Sequence, residues 1–389
     1  MTTDAQVTPG SQAALRQANR ERVVAALRRG GTLTQAEIAR ATGLSAASVS
    51  NIVRDLRSTG TVSVRETSSN GRRARAVTLL HPPGALVAID FAYSRITVAL
   101  GDTRGRVLQE ESITYDVAED PVRGIRRAVW LTETLLTRAR VDRSMVSGAA
   151  ASVPGPVDPV SGRIGDITCM PRWAGFDPGD ELGQRLGFAV RVDNDANLCA
   201  LAETAEGAAR GVEHVVYVNV SQGVGAGVVV EGRLFRGASG NAGEIGHLGL
   251  DERGQVCRCG NRGCLETLVG APYLLGMVPQ QSRIGPDAAL SDLVEAACAG
   301  DPGCRRIIAE AGIALGRGVA IVVNMFNPQM VVVGGELAES GELLLDPMRR
   351  AMELGTLGSA LADLRLVPGE LGGRAALRGA LRAALASTF

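Results

Sequence analysis

The chain has 389 residues, 45% of them apolar, with 41 Arg, no Lys and 41 Asp or Glu. That length allows two or three domains with buried cores, and no uncharged apolar run reaches the 18 residues of a membrane span. Net charge is zero, yet residues 1–80 hold 12 Arg against 5 acidic residues, a balance of +7 that leaves −7 for the remainder. A basic N-terminal segment on an acidic body points to a nucleic-acid-binding part joined to something else. The exclusive use of Arg reads as coding bias and carries no functional weight. Residues 1–30 are rich in Arg and Gln and lack the apolar stretch of a signal peptide, which predicts a cytoplasmic protein.

In chain order, residues 1–11 read as disordered. Residues 12–29 carry Ala14, Leu15, Val23, Val24 and Leu27 at helical spacing, and Gly30-Gly31 stops that helix. Thr34-Gln-Ala-Glu37 is a capping-box pattern opening a second helix to about Ala41. Thr42-Gly43-Leu44 is a tight turn. Ser45 is an N-cap for a third helix with Val49, Ile52, Val53 and Leu56 on one face, ended by Gly60. Residues 61–80 alternate around Asn70-Gly71, a two-residue hairpin turn. His81-Pro82-Pro83-Gly84 is a linker, so the division expected is 1–82 and 83–389.

Beyond the linker, apolar strands alternate with helices. Strands are predicted at Leu86–Ile89, Ile96–Leu100, Gly148–Val153, Val215–Val220, Ala226–Val230 and Met330–Val333. Helices are predicted near 121–139, 179–186, 196–210, 264–275, 288–299, 302–325, 341–353 and 373–386. Strand pairs flanked by helices over some 300 residues indicate an α/β protein of two lobes.

The N-terminal pattern is that of a winged helix-turn-helix. Ile38, Ala39, Leu44, Val49 and Ile52 would fill its core, with Gly43 allowing the turn. The third helix would enter a major groove by its N-terminal end. Ser45, Ala46, Ala47, Ser48, Ser50, Asn51 and Arg54 would face outward, Asn51 suiting an adenine edge. Arg65, Arg72, Arg73 and Arg75 on the wing suit phosphates or the minor groove. Such modules act in pairs on two-fold-related half-sites, so a homodimer or a dimer of dimers on double-stranded operator DNA is expected.

Three further motifs carry chemistry. Asn194-Asp195, at a strand-to-helix turn, can hold a hydroxyl. The glycines of Gln222–Gly227, continuing to Ala242-Gly-Glu244-Ile-Gly-His247, let backbone amides approach an anion. His247, Cys257, Cys259 and Cys264 can complete a closed, tetrahedral structural zinc site, one per chain. The remaining cysteines, Cys169, Cys199, Cys298 and Cys304, read as small buried residues.

The stretch Ala-Gly-Glu-Ile-Gly-His247 followed by Cys-x-Cys-Gly-x-x-Gly-Cys-x-Glu266 resembles the ROK family of repressors, open reading frames and sugar kinases, and the resemblance covers nearly the whole chain. It implies an actin-like, two-lobed ATPase fold with a sugar between the lobes, behind a winged helix-turn-helix in the repressor branch. It further implies sugar contacts at Asn194, Asp195, Glu244, His247 and Glu266, with Asp195 in the place of the kinase base. Kinases of the family open with Asp-x-Gly-Gly-Thr, where this chain has Asp90-Phe-Ala-Tyr-Ser-Arg95. Gln222 stands where they have Thr, and Gly334-Gly335-Glu336 lacks a third glycine. Departures confined to the phosphate side predict binding without phosphoryl transfer. The expectation is a repressor controlled by a sugar or sugar phosphate. The alternatives are an active sugar kinase with an added DNA module, and a regulator that answers to protein or to no ligand.

Overall fold

The computed structural model describes residues 12–69, 72–80, 84–165, 170–278, 284–285 and 288–386, with 12–14, 28–29, 68–69 and 72–73 described by backbone alone. Asn70-Gly71 and Cys169 lie outside the described residues. The chain divides into two compact units, Met1–Gly84 and Ala85–Thr388.

The first unit runs α1 (Gln12–Gly30), β1 (Leu33–Thr34), α2 (Gln35–Thr42), α3 (Ala46–Ser58), β2 (Val62–Ser69) and β3 (Arg72–Leu79). The capping box forms as the sequence predicts: Glu37 N donates to Thr34 Oγ1 at 3.3 Å, and Thr34 N donates to Glu37 Oε2 at 2.7 Å. Gly43 has φ +69°, a left-handed conformation that glycine adopts without a Cβ clash and that lets α2 end and α3 begin three residues later. Ile38, Val49, Val53 and Leu56 pack on Val23, Val24 and Leu27 and on the sheet of order β1-β3-β2. Leu15 departs from the expected apolar face. It is 63% exposed, because the first turns of α1 run past the core, which α1 joins only from Val23.

The second unit contains two sheets of identical internal order. The first is built from β4 (Ala85–Ala92), β5 (Arg95–Asp102), β6 (Val107–Thr114), β7 (Val146–Val153) and β8 (Arg191–Asn194), arranged β6-β5-β4-β7-β8. Helix α4 (Pro121–Ala139) lies between β6 and β7, and α5 (Pro178–Leu186) precedes β8. Helix α6 (Asp195–Glu206) leaves β8 for the second lobe. That lobe holds β9 (Val215–Val220), β10 (Val224–Val230) and β11 (Arg233–Leu234), then α7 (Glu266–Val269), α8 (Ala271–Gly276), α9 (Leu290–Cys298) and α10 (Pro302–Phe326). It continues with β12 (Met330–Gly334), α11 (Glu342–Gly355), α12 (Gly358–Leu361), β13 (Arg365–Pro368) and α13 (Ala375–Ala386), and its sheet runs β11-β10-β9-β12-β13.

Each sheet therefore reads 3-2-1-4-5 in its own strand numbering, an antiparallel hairpin pair followed by parallel strands. This duplicated architecture is the two-lobed actin-like fold. Helix α13 packs on β4 and β7 of the first lobe and on α6, so it ties the lobes together. By length and composition α10 is apolar enough to cross a membrane, yet 67% of its apolar window is buried within the lobe, against α9 and α11.

The strands that sequence periodicity left unread are β1, β6, β8, β11 and β13. Strand β6 is an edge whose residues alternate between half-buried and exposed, with Gln109, Glu110 and Glu111 at its centre. The others have four residues or fewer. The single helix predicted over 264–275 is two, broken at Gly270, and α6 stops at Glu206 rather than 210. Cys199 and Cys304 are buried as expected, but Cys298 is exposed at the end of α9.

Candidate functional site

The hairpin turns at equivalent places in the two lobes, Tyr93-Ser94 between β4 and β5 and Ser221–Gly223 between β9 and β10, both border one cleft. Asp195 sits at the middle of it. Asn194 ends β8 and caps α6 by accepting from Asn197 N at 3.1 Å, while its Nδ2 donates to Gly155 O at 3.0 Å. The cap aims the Asp195 carboxylate into the cleft. Asp195 Oδ1 accepts from Ala196 N at 2.8 Å and Oδ2 from Asn219 Nδ2 at 3.1 Å. Asn219 lies on β9, in the second lobe, and sequence reading did not single it out. Behind the turn, Asp193 Oδ2 accepts from Arg236 Nε at 2.9 Å and Nη2 at 2.5 Å, a pairing also absent from any sequence motif.

On one side of Asp195 an open cleft of about 540 Å³ is bordered by Asn194, Glu244, His247, Arg258 and Glu266. The five residues assigned by resemblance to sugar contact thus line one space. Burial and the nearby Asp195 and Glu266 charges push the Glu244 carboxyl up to about 7. Arg258, from the metal-ligand loop, donates to Glu266 Oε1 through Nε at 2.8 Å and sits 2.7 Å from it through Nη2. A Cβ on Gly223 would lie 2.5 Å from Glu266 Oε2, so a larger residue there would displace the Glu266 carboxylate. The glycines of β10 differ in what surrounds them. A Cβ on Gly227 would lie 2.3 Å from Ala196 O, so this glycine admits α6 against β10, whereas one on Gly225 would make an ordinary contact with Ala196.

His247 and the three cysteines converge. Their ligand atoms all lie within 4.8 Å of one another, with Cys257 Sγ 3.5 Å from His247 Nδ1 and Cys259 Sγ 3.6 Å from Cys264 Sγ. Tetrahedral zinc with Zn–S of about 2.3 Å and Zn–N of about 2.0–2.1 Å separates its ligands by roughly 3.6–3.8 Å, so the cluster fits that ion. Nδ1 is the ring nitrogen nearest the thiols, which leaves Nε2 facing Glu244 Oε2 at 3.9 Å. One imidazole can thereby serve metal and cleft at once.

On the other side of Asp195 a cavity of about 700 Å³ is bordered by Asp90, Tyr93, Arg95, Glu336 and Glu339. Asp90 is only 5% exposed, and burial pushes its carboxyl up to about 6 against the opposing pull of the Ser152 hydroxyl and Arg95. Burial does the same to Asp195, also to about 6, helped by Asp90. Burial and Glu339 raise Glu336 as well, with Arg95 opposing. Four carboxylates therefore face one guanidinium around this cavity.

In the first unit, Ser45, Ala47, Asn51 and Arg54 are exposed on α3, with Ser48 and Ser50 half-buried. Four of these residues are already engaged with one another. Ser45 Oγ accepts from Ser48 N at 3.1 Å and lies 2.9 Å from Ser48 Oγ, and Arg54 donates to Asn51 Oδ1. Arg75 and Arg65 are exposed on the wing strands, with Glu66 opposite Arg75, and the side chains of Arg72 and Arg73 lie outside the description. Sequence reading predicted the α1 helix but did not assign it to this surface. Its Arg16 and Arg20, on the turns that leave the core, border a trough shared with Ser48, Asn51 and Arg54. The signal was present in the sequence as a helix whose first half lacks a buried face.

A profile of the ROK family matches residues 86–387, and a domain of unknown function (DUF7343) matches residues 17–72. The chain is 29% identical over 385 residues to the xylose repressor of Caldicellulosiruptor bescii, covering 96% of each chain. It superposes with a TM-score of 0.77 and 26% identity on a ROK family transcriptional regulator, a homolog of the Escherichia coli MLC protein, covering 96% of this chain and 97% of that one. A ROK family glucokinase from Streptomyces griseus, in complex with glucose and AMPPNP, matches at TM-score 0.65 and 26% identity over 77% of this chain and 99% of its own. Repressors thus match nearly the whole chain, the kinase only part of it. The family profile spans well over half of the sequence, and the chain belongs to the ROK family.

Proposed function

We propose that this protein is a transcriptional repressor whose first unit binds double-stranded operator DNA and whose second unit binds a sugar effector beside Asp195 without transferring phosphate. The observation that carries the reading is the contrast across Asp195. Asn194, Asp195, Glu244, His247 and Glu266 line one cleft, whereas the cavity beyond presents Tyr93, Glu336 and Glu339 where a nucleotide's phosphates would need space and cations.

The chain's own residues account for sugar recognition. Asp195, held by Ala196 N and Asn219, keeps a lone pair aimed at an incoming hydroxyl. Glu244 and Glu266 accept further hydroxyls, and Nε2 of His247 donates one bond when Nδ1 holds zinc. A buried group left unpaired by the wrong sugar costs about 1–3 kcal/mol. Zinc would supply rigidity to the loop that carries His247, Arg258 and Glu266, and the closed four-ligand set leaves no position for an activated water. The cleft has walls from both lobes, so a ligand that prefers one degree of closure shifts that equilibrium. In a homodimer the shift would alter the spacing of two recognition helices. On DNA, Asn51 exchanges its Arg54 partner for a base edge while Arg16, Arg20, Arg65 and Arg75 meet phosphates. The activity belongs in the cytoplasm, with the chromosome.

The test is binding of the full chain to a duplex from the region upstream of its own gene, titrated with a panel of sugars. A sugar-dependent change in affinity is expected, and none across the panel would overturn the reading. One observation favours a kinase instead: Asp195 still occupies the base position with a carboxyl near 6. Sugar-dependent release of ADP from ATP, lost in Asp195→Asn, would establish that alternative.

A further inference from the structure

The sugar cleft does not end at Glu266. A second groove, of about 770 Å³, opens on the far side and shares Gln222, Arg258 and Glu266 with the first as a common wall. Its other borders come from three segments: Gln255 and Val256 of the metal-ligand loop, Thr267 of α7, and Pro272 with Tyr273 of α8. Three polar groups here are uncommitted. Among the described residues, the side-chain amides of Gln222 and Gln255 and the Tyr273 hydroxyl have no hydrogen-bond partner. Beside them stand exposed apolar surfaces, with Val256 62% exposed, Pro272 exposed and the Tyr273 ring half-buried.

We infer that this groove is a second carbohydrate subsite, and that the effector is an uncharged disaccharide or a glycoside of comparable size. The inference rests on the sugar reading of the first cleft. An aromatic ring beside free amide donors and acceptors suits a pyranose, which presents an apolar C–H face and a rim of hydroxyls. The shared wall fixes the geometry. A first ring held between Asp195 and Glu266 has one end at the Asp195 carboxylate and the other at Glu266, so a substituent on that second end runs into the outer groove. Charge selects against phosphate. The first cleft carries Asp195, Glu244 and Glu266 against Arg258 alone, and Arg258 is already paired with Glu266. A sugar phosphate would bring two further negative charges to that surface.

The test uses the full-length zinc-loaded protein and calorimetry with matched pairs: xylose and xylobiose, glucose and cellobiose or maltose, N-acetylglucosamine and its β-1,4-linked dimer. One disaccharide is expected to bind at least tenfold more tightly than its own monosaccharide. Tyr273→Ala and, on the exposed loop, Gln255→Ala should each erase most of that gain while the monosaccharide affinity stays within twofold. Gln255→Ala guards against a packing defect, because Gln255 is exposed. A monosaccharide that binds as tightly as every disaccharide, or a gain that survives both substitutions, overturns the second subsite and leaves the first cleft standing. Binding of no sugar at all overturns both.

Discussion

The spaces on either side of Asp195 share the two hairpin turns at Tyr93 and Ser221 as walls and have opposite chemistry. On the Glu266 side each acidic group has a partner: Asn219 for Asp195, His247 near Glu244, Arg258 for Glu266. On the Glu336 side Asp90, Glu336 and Glu339 share one Arg95, and burial raises Asp90 and Glu336 toward neutrality. A carboxylate with arranged donors is ready to read hydroxyl groups, while several carboxylates that share one guanidinium add negative charge where phosphate needs positive charge. On the proposed function, the difference is that of a two-lobed architecture that keeps recognition on one half of its cleft and gives up charge neutralisation on the other.

The largest effect should come from the loop that organises the first side. Metal analysis is expected to give about one zinc per chain. Chelation or Cys259→Ser should cost several kcal/mol, since structural zinc sites bind with free energies of about 10 kcal/mol or more. The loss should appear as a fall of more than 10 °C in Tm together with lost sugar binding, on the scale of about 2–4 °C per kcal/mol for a unit of this size. Metal-free protein of unchanged Tm would show that the ordered side of the comparison owes nothing to an ion.

Next in size is Asp195→Asn. Hydrogen bonds to charged groups contribute about 1.5–3 kcal/mol, so sugar affinity should fall ten- to hundredfold by calorimetry. Sugar-free DNA affinity should not change. An unaltered sugar affinity would move the recognition centre away from the boundary between the two sides.

How much of this was legible in the sequence follows from the range of the interactions. The capping box at Thr34 and the cap at Ser45 bind within three residues, so local pattern suffices to place them. The metal set is legible because three of its four ligands fall within eight residues, between Cys257 and Cys264. Asn219 and Arg236 were not, because each meets its carboxylate across 24 and 43 residues of sequence, and neither sits in a motif. The outer groove was invisible for the same reason, as Gln222, Gln255 and Tyr273 come from three separate segments. The helix contact at Gly227 was not legible either, because nothing in the glycine pattern shows that Ala196 packs against it.

The third prediction concerns pH. Asp90 is raised from 3.8 to about 6, so the folded chain holds this proton more tightly than the unfolded one. Its contribution to stability is therefore full below about pH 4 and is lost as pH rises through about 6. At pH 7.5 the buried charge costs about 2–3 kcal/mol, at roughly 1.4 kcal/mol per pKa unit. Asp90→Asn should recover up to about 2 kcal/mol of that at pH 7.5 in denaturant melts, with the gain vanishing near pH 4. A substitution that destabilises at pH 7.5 would mean that Asp90 has a cationic partner in solution, and the second side would then resemble the first.

The smallest effect separates charge from bulk as the obstacle to nucleotide. Two features stand in a triphosphate's path, the Glu336 and Glu339 carboxylates and the Tyr93 side chain in the β4–β5 turn. Like charges near a partly buried site oppose binding by about 0.7 kcal/mol each when solvent screens them. If charge is the barrier, Glu336→Gln with Glu339→Gln should strengthen binding of the magnesium complex of AMPPNP by about tenfold in all, and raising the salt concentration should shrink that gain. If bulk is the barrier, Tyr93→Gly should strengthen binding with no such salt dependence, because removing an aromatic ring changes volume and not charge. Tight binding of AMPPNP to the unmodified chain would remove the asymmetry altogether and return this cleft to the nucleotide-binding members of its family.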